Sequence, residues 1–458
     1  MNIYITVELA LRELDSKLLL AVLAAAKGHQ VIVSEQNIIK NALKKGFLEP
    51  GIFHSKSLTP NDSKIDLHQS LINNGFLISS IDEEGCLVDH GYDTFARSRY
   101  SDRTLEQSSL VFGWGIDDVE TLKKYYPKYS FKIHKTGSPR ADLWKSFFSD
   151  YWGKPKKLPK KPYLLVSSSM GTFTVKPFNE VVRFHKYAGY YQHDADFLQN
   201  QIGRESENYM LTAEFIKAIK YLAKKNIGYD IVLRPHPTEN IEAWKISLEN
   251  IPNVYVIREG SITFWVNNAF AVMHNGCTTA IEATFSKKPV ITYLPFNQLF
   301  ERKLANELGH RVKTLDQLLE KVNYLFNDIK TFDQKKDKDE EPLPENVLKK
   351  IYFDENELSS EKIIKLWESL DNDKFNKSSS LTKLQWFIKI SNFKKIVIKV
   401  LKKILPSRFR NVKEDWKFPP LDQDEIRKRI EKLKNILKIN AKLECKLLSN
   451  QTILIRKY

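Results

Sequence analysis

The sequence predicts an α/β protein with two doubly wound domains, followed by a basic helical extension. Short β-branched strands alternate with helical stretches along residues 1–153, and the same alternation returns along residues 163–327. A proline- and lysine-rich stretch separates the two regions, and a cation-rich stretch without acids follows them. Strands that alternate with helices are typical of parallel sheets covered by helices on both faces.

The first domain opens on a β–α–β unit. Residues Asn2–Val7 alternate as a strand does, Asp15 is a typical N-cap for the helix that follows, and Gln30–Ser34 predicts the second strand. Further strands are predicted at Leu77–Ile81, Ser109–Gly113 and Phe131–Thr136.

The second domain follows a linker at Lys154–Pro162, which holds three prolines and five lysines. Its strands are predicted at Tyr163–Ser167, Asp230–Arg234, Val254–Ile257, Ala269–His274 and Pro289–Leu294. Two such domains leave a cleft lined by the carboxyl ends of both sheets, where ligands bind in folds of this kind.

Composition narrows the class of protein. Hydrophobic residues make up 42% of the 458 residues, which excludes wholesale disorder. Cys86, Cys277 and Cys445 are isolated, so neither a zinc ribbon nor a disulfide framework is expected, as suits a reducing compartment. The N-terminal stretch does not resemble a signal peptide, and the apolar run Leu18–Ala26 is too short to span a bilayer. We therefore expect a cytoplasmic protein, soluble or peripheral at a membrane.

The C-terminal third carries most of the net charge of +16. Residues 328–373 are predicted as a charged loop or frayed helix, and residues 374–458 as the extension. Eleven of its Lys and Arg residues lie within 374–410, with no acid among them. Apolar residues recur there at three- and four-residue spacing, which predicts that 383–410 lie on the anionic inner leaflet of the plasma membrane. The alternative is a helix packed on the protein with its lysines outward.

Two segments of the second domain predict a phosphate site. Arg234, His236 and Pro237 directly follow a strand, where prolines stiffen the loop and the two cations can meet an anion. The alternative there is a proline-rich turn with a packed histidine.

The second segment runs from an apolar strand through a small-residue turn into a helix. Asn275, Gly276, Thr278 and Thr279 supply backbone N–H groups and hydroxyls for an anion, and Glu282 lies one turn further on, within reach of a ribose. An ordinary strand–turn–helix with a threonine N-cap is the alternative.

The first domain carries the candidate acids. Asp82, Glu83 and Glu84 follow a strand, and one of them is a candidate proton acceptor unless the turn is merely solvated. Arg140 is a candidate anion ligand, whereas Asp142 is a candidate helix cap.

Glu8 and Arg12 follow the first strand and are placed at the edge of the cleft, with helix capping and surface ion pairs as the alternative. GxGxxG, P-loop and GxSxG patterns are absent from the sequence. No Asp-x-Asp triplet follows a convincing strand, so neither a metal nor a cofactor is predicted.

Several blocks together resemble bacterial surface-carbohydrate biosynthesis proteins of the GT-B glycosyltransferase type. They are Glu8 with Arg12–Leu19, Gly137–Asp142 and Asn275–Thr279, in order over roughly residues 1–300. The resemblance implies two Rossmann-like domains facing across a cleft.

A looser resemblance is to sialyltransferases and Kdo transferases, which use CMP-activated nonulosonic acids. Glu83–Gly85, His236–Pro237 and Thr278–Thr279 match the acid–acid–Gly, His-Pro and Ser/Thr-pair motifs of that group in order, although threonines replace its serines. The resemblance implies that Glu84 is the proton acceptor and that His236 and the threonines hold the donor phosphate.

The sequence therefore favours transfer of a nonulosonic acid from CMP to a lipid-linked or growing surface glycan. If the sugar configuration is retained, Asp142 or Glu83 is the candidate nucleophile. The alternatives are a UDP-sugar transferase, a nucleotide-sugar epimerase of similar shape, and a nucleic-acid-binding protein suggested by the pI of 9.3. The apolar residues among the lysines and the lack of a nucleic-acid motif disfavour the last.

Overall fold

The computed structural model describes residues 1–85, 92–171, 179–180, 182–183, 197–225, 228–331, 345–370, 381–391 and 417–458. The chain divides into two compact units, which we call unit 1 and unit 2. Unit 1 comprises residues 1–151 and 344–458, and unit 2 comprises residues 152–343.

Unit 1 is built on an eight-stranded sheet. In sheet order, its strands are β13 (Leu443–Ser449), β14 (Thr452–Lys457), β2 (Gln30–Glu35), β1 (Asn2–Val7), β3 (Ile52–Ser55), β4 (Leu77–Ile81), β5 (Leu110–Gly113) and β6 (Ile133–Lys135). Strands β1 to β6 are parallel, and β1 lies between β2 and β3. The chain therefore moves first to one side of β1 and then to the other, so the strand order reverses there.

Helices connect these strands and cover the sheet. They are α1 (Ala10–Ala26), α2 (Gln36–Lys44), α3 (Asp62–Asn73), α4 (Tyr92–Arg99), α5 (Asp102–Glu106), α6 (Ile116–Tyr125) and α7 (Pro139–Asp142). Residues Leu18–Ala25 of α1 are buried, because this helix contacts the sheet and also two helices from the C-terminal part of the chain. The leucine- and alanine-rich sequence of α1 suits a helix covered on more than one side.

The C-terminal part of the chain completes unit 1. It adds α14 (Glu345–Lys350), α15 (Ser359–Ser369), α16 (382–391) and α17 (Gln423–Ile436). Strand β14 pairs with β2 in antiparallel register, with Ile453 opposite Val33. In α15, the buried Trp367 donates from Nε1 to the Ser79 hydroxyl at 2.9 Å. The described residues of 345–458 are thus part of the first unit, whereas the sequence predicts a charged connector and a separate extension there.

The prediction that the apolar face of 383–410 lies on a membrane is wrong for the residues of α16. Leu384, Phe387 and Ile388 are 1%, 5% and 2% exposed and belong to the core cluster that includes Tyr4 and Ile32. The periodicity is correct, but the protein itself covers the apolar face. Residues 392–410 of the predicted membrane segment lie outside the described residues.

Unit 2 is built on a six-stranded sheet. In sheet order, its strands are β12 (His310–Val312), β11 (Val290–Tyr293), β10 (Ala271–His274), β7 (Tyr163–Ser167), β8 (Asp230–Arg234) and β9 (Val254–Val256). All neighbouring strands are parallel, and the order reverses at β7. Its helices are α8 (Phe197–Lys225), α9 (Ile241–Ser247), α10 (Ile262–Asn268), α11 (Thr279–Phe285), α12 (Lys303–Asn306) and α13 (Leu315–Thr331).

These two sheets confirm the predicted fold class of two Rossmann-like α/β units. That the units face each other across a cleft stays a prediction. Within the described ranges, no helix is long and apolar enough to cross a membrane.

Candidate functional site

The carboxyl edge of the unit 2 sheet brings the two predicted phosphate segments to the same strand. Strand β7 lies between β8 and β10, and the serines at its end contact both neighbours. Ser167 Oγ donates to Thr279 Oγ1 at 3.0 Å, and Thr279 belongs to the segment that follows β10. Ser168 Oγ accepts from the His236 amide at 3.3 Å, and His236 belongs to the loop that follows β8. In a doubly wound sheet, this point of reversal is where ligands bind.

The loop that contains His236 is fixed by Glu239. This buried carboxylate accepts hydrogen bonds from Ser168 Oγ at 2.6 Å, from the Met170 amide at 2.7 Å and from Trp244 Nε1 at 2.8 Å. Burial raises the pKa of Glu239, although these three donors favour its ionised form. The carboxylate therefore ties the ends of β7 and β8 together.

His236 is exposed at the tip of this loop, and its ring is oriented by Thr238. Its Nδ1 accepts from the Thr238 amide at 3.3 Å and lies 2.6 Å from the Thr238 hydroxyl. An imidazole that accepts at Nδ1 carries its proton on Nε2 when it is neutral, so the other ring nitrogen is a donor.

Arg234 lies at the end of β8 and is engaged by backbone carbonyls. Its guanidinium donates to the carbonyls of Glu259 and Gly260, the latter at 2.9 Å, and lies over the Trp265 ring. Burial lowers the pKa of Arg234 to about 10. Arg258 is the cation that holds the His236 loop, since it donates to the His236 carbonyl at 3.1 Å.

The turn after β10 is shaped by buried polar contacts. His274 Nδ1 accepts from the Cys277 amide at 3.4 Å, and its Nε2 lies 2.9 Å from Thr292 Oγ1, so the ring is fixed in one orientation. Burial lowers the pKa of His274 to about 3, and the ring is neutral. Asn275 Nδ2 donates to the Tyr293 carbonyl at 2.8 Å, which secures the turn to β11.

Gly276 is required where the turn reverses. Its φ is +61°, and a Cβ atom built there would lie 2.9 Å from Arg302 Cδ. The Gly276 amide donates to Asn306 Oδ1 at 2.6 Å, while Arg302 donates to the Gly276 carbonyl at 3.3 Å and to the Ser169 hydroxyl. Arg302 thus places a guanidinium beside the turn.

The two predicted phosphate threonines point in different directions. Thr279 is 8% exposed and bonds to Ser167 inside the unit, whereas Thr278 is exposed at the start of α11. Glu282, predicted to reach a ribose, is 6% exposed within that helix. Of the pair, only Thr278 is therefore exposed.

A small recess, with a volume of about 20 Å³, adjoins this turn. Its polar lining is contributed by three loops and by α8, and includes Ser169, Asn275, Arg302, Arg204, Asn208 and Gln298. The sequence analysis missed Ser167–Ser169 and Arg302, yet three serines directly after an apolar strand were a usable signal. Arg302 lies in a loop with no such signal.

The three acids after β4 of unit 1 have separate roles. Asp82 accepts two hydrogen bonds from Arg99, both at 2.9 Å. Glu83 is buried and paired with Lys17. Glu84 is half exposed and lies 3.4 Å from Arg12 and 3.7 Å from Arg99. Glu84 is therefore the accessible acid of the three.

The Lys17–Glu83 pair lies inside the unit, since the two side chains are 1% and 5% exposed. Burial raises the pKa of Glu83, but the charge and hydrogen bond of Lys17 outweigh burial and hold it below its usual value. Arg140 adds a hydrogen bond at 3.1 Å to the Glu83 carbonyl and lies over the Trp114 ring. The predicted anion ligand Arg140 thus supports the acidic loop.

Asp142 caps a helix far along the chain. Its carboxylate accepts from the Ser359 amide at 2.8 Å, from the Ser360 amide at 2.9 Å and from the Ser360 hydroxyl at 2.8 Å. Burial raises the pKa of Asp142, and Lys145 opposes that shift. These contacts belong to the N-terminus of α15, so Asp142 is a cap, although not of the helix next to it in sequence.

Glu8 and Arg12 lie at the reversal point of unit 1. Glu8, after β1, pairs with Lys56, after β3, and with Lys417 at 2.8 Å. Burial opposes ionisation of Glu8, but the two lysines lower its pKa to about 2. Arg12 donates to Glu13 at 3.3 Å as well as contacting Glu84. The sequence analysis missed Lys17, Lys56 and Arg99, because only the fold brings them to these acids.

Comparison with known proteins gives structural likenesses alone. No family model matches the chain, and no curated protein does. UDP-GlcNAc 2-epimerase from Neisseria meningitidis bound to UDP-GlcNAc aligns at 13% identity and a TM-score of 0.46, over 80% of this chain and 99% of that one.

A UDP-GlcNAc 2-epimerase from Methanocaldococcus jannaschii, in complex with UDP-GlcNAc and UDP, aligns at 14% identity and a TM-score of 0.44, over 80% and 99% of the two chains. A glycosyltransferase from Rickettsia africae aligns at 13% identity and a TM-score of 0.44, over 82% and 99%. Likenesses at this level do not assign an activity, so the chemistry has to be argued from the residues.

Proposed function

We propose that the protein is an enzyme acting on a nucleotide-activated sugar, with unit 2 binding the nucleotide phosphate. One observation carries this proposal. At the reversal point of the unit 2 sheet, the polar ends of three adjacent strands meet around Ser167 and Ser168, with the exposed side chains of His236 and Thr278 on either side. Such strand ends are the usual ligand site of doubly wound sheets.

Phosphate suits this edge because its donors are cations, hydroxyls and amides. His236 and Thr278 would bind the phosphate oxygens, and Arg258 and Arg302 would favour negative charge nearby. Neutralising the departing phosphate is the main electrostatic task in such a reaction. We propose that these protein cations perform it without a metal or a cofactor.

We propose Glu84 of unit 1 as the catalytic acid or base. Of the three acids after β4, it alone is half exposed, whereas Asp82 is engaged by Arg99 and Glu83 by Lys17. A general base has to reach solvent or substrate, so these contacts favour Glu84. As a cap of α15, Asp142 is disfavoured as the nucleophile of a retaining reaction.

The reaction proposed from the motif order is transfer of a CMP-linked nonulosonic acid to a glycan or lipid-linked acceptor in the cytoplasm. Transfer or epimerisation of a UDP-linked sugar is the second candidate, because the acids and the phosphate-binding edge would serve either donor equally. The experiment therefore includes both nucleotides.

Isothermal titration of the full-length protein with CMP and with UDP tests the proposal. His236→Ala should weaken binding of the preferred nucleotide about ten-fold or more, equivalent to about 1.4 kcal/mol, because a donor to the phosphate is removed. His310→Ala is the matched control, since His310 is also exposed on unit 2 but lies at the start of β12.

Failure of both nucleotides to bind wild-type protein would overturn the proposal. Equal weakening by the two alanine variants would remove His236 from the site and point to a general loss of structure.

A further inference from the structure

A lysine that makes no ion pair with a carboxylate of the described residues lies beside the acidic loop of unit 1. Lys64, in the first turn of α3, is partly buried, and its Nζ donates to the Ser57 carbonyl at 2.9 Å and to the Ser57 hydroxyl. The neighbouring Lys56 carbonyl accepts from the Glu83 amide at 3.2 Å, so this lysine lies next to the loop that carries Glu84.

The nearby acids are already paired with other cations. Asp82 is held by Arg99, and Glu8 by Lys56 and Lys417. Within the described ranges, no carboxylate makes an ion pair with the Lys64 ammonium. Both of its hydrogen bonds go to a single serine, although an ammonium has three donors.

Three of the four charged groups that shift the pKa of Lys64 are cations. They are Lys56 directly after β3, Lys40 of α2 and Arg99 of α4, and Asp82 is the opposing acid. Lys56 and Arg99 are themselves paired with acids. Burial is the largest cause that lowers the pKa of Lys64, to about 8, and these cations lower it further. An anion bound to the Lys64 ammonium would favour its charged form and oppose the effect of burial.

Lys132 shows what a purely structural lysine of similar exposure looks like. Its Nζ donates to three backbone carbonyls, those of Leu105, Glu106 and Ser108, at 3.1, 3.1 and 2.7 Å. All three donors of the ammonium are used between the end of α5 and the start of β5. This position is at the amino edge of the sheet. Lys64 instead lies at the carboxyl edge, beside the candidate catalytic acid.

We propose that Lys64 forms a subsite for an anionic group of the substrate, a carboxylate or a phosphate. The inference rests on the proposed function and deepens it: the transferred sugar or the acceptor is itself acidic. The subsite lies in unit 1 and is separate from the residues proposed for the nucleotide phosphate. An acidic sugar would present its carboxylate to Lys64, and a phosphorylated acceptor its phosphate.

Trace acetylation of the full-length wild-type protein tests this subsite. The reaction of each lysine with acetic anhydride is followed by peptide mass spectrometry from about pH 6.5 to about pH 10.5, which gives the pKa of Lys64 and of Lys132 in one sample. Parallel samples contain inorganic phosphate, glucuronate, or glucose with sodium chloride at the same ionic strength.

Phosphate or glucuronate should raise the pKa of Lys64 from about 8 towards the ordinary value of about 10.4. A rise of one pH unit would slow its acetylation near pH 8 about five-fold, while Lys132 should not change. A response to glucuronate alone would identify a carboxylate subsite, and a response to phosphate alone a phosphate subsite.

The subsite is refuted if neither anion changes Lys64 relative to the glucose sample, or if Lys132 responds equally. Nucleotide titration reports independently on unit 2. Loss of nucleotide binding with a retained Lys64 response would therefore overturn the proposed function and leave the anion subsite intact.

Discussion

The carboxyl edges of the two sheets are organised by different forces. In unit 1, the polar residues form ion pairs, including the buried pair of Lys17 and Glu83 and the two arginines on Glu84. In unit 2, hydroxyls, amides and neutral rings predominate, as in the contact between Ser167 and Thr279. Breaking a buried ion pair leaves an uncompensated charge, whereas breaking a neutral hydrogen bond costs far less. The two edges should therefore respond very differently to substitution.

The largest expected effect is on turnover. Glu84→Gln keeps the shape of the side chain but removes the proton-accepting carboxylate, and should lower kcat by about 10²- to 10⁴-fold. Nucleotide affinity should stay within about two-fold, because the phosphate residues belong to unit 2. Release of nucleotide from the sugar donor measures the first and calorimetry the second. Near-normal kcat would show that the acidic loop is merely solvated.

The next effect is on stability. Glu83→Gln should cost unit 1 about 3–5 kcal/mol, because the Lys17 ammonium would be left buried without its partner. Urea unfolding measures the loss, and the double variant with Lys17→Met should recover much of it. If Glu83→Gln unfolds like wild type, the pair does not stabilise unit 1.

Acid should act against the stability of both units through their buried histidines. Burial lowers the pKa of His54 well below its usual range and that of His68 to about 3 in unit 1, and lowers that of His274 to about 3 in unit 2. These histidines do not destabilise the fold above the unfolded pKa of about 6.5. Below it, the unfolded state binds more protons, so each costs about 1.4 kcal/mol per pH unit down to its folded pKa.

Hydrogen exchange between about pH 7 and about pH 5 would measure these slopes, and in unit 1 Asp118 opposes the histidines, because burial raises its pKa to about 7 and its folded carboxyl gains a proton in the same window. The variant His68→Phe should reduce the slope in unit 1 alone. An unchanged slope in His68→Phe would mean that His68 does not contribute to the acid response.

The smallest effect separates the two adjacent threonines of unit 2. Thr279→Val should lower the stability of unit 2 by about 1 kcal/mol, because its hydroxyl bonds to Ser167 inside the unit. Thr278→Val should leave stability unchanged and weaken nucleotide binding, since Thr278 is exposed. The reverse pattern in thermal unfolding and calorimetry would contradict this assignment.

Strand positions and local motifs could be predicted from the sequence, because strands and turns leave local patterns. The prediction of β8 and β10 located the His236 and Thr278 segments at strand ends, but the two strands are not neighbours, because β7 lies between them. The short strand β3 was missed, since its four residues carry too little pattern.

Partners that are distant along the chain could not be predicted. Asp142 caps a helix more than 200 positions away, and Lys17 meets Glu83 only after folding. Periodicity showed that Leu384 and Phe387 share an apolar face, but periodicity does not reveal what covers a face. Lysines near that face suggested lipid, whereas the core of unit 1 was the partner.

The pairing of β14 with β2 has a consequence for synthesis. The Ser34 hydroxyl of β2 lies 2.8 Å from the Thr452 hydroxyl of β14, 418 positions further along the chain. The first unit to leave the ribosome is therefore the last to be completed. Unit 2 is contiguous and can fold while β2 still has an open edge, which invites pairing with other chains. The nascent protein should therefore depend on chaperones until its C-terminal hairpin emerges, and a truncation that removes β14 should aggregate even though unit 2 is whole.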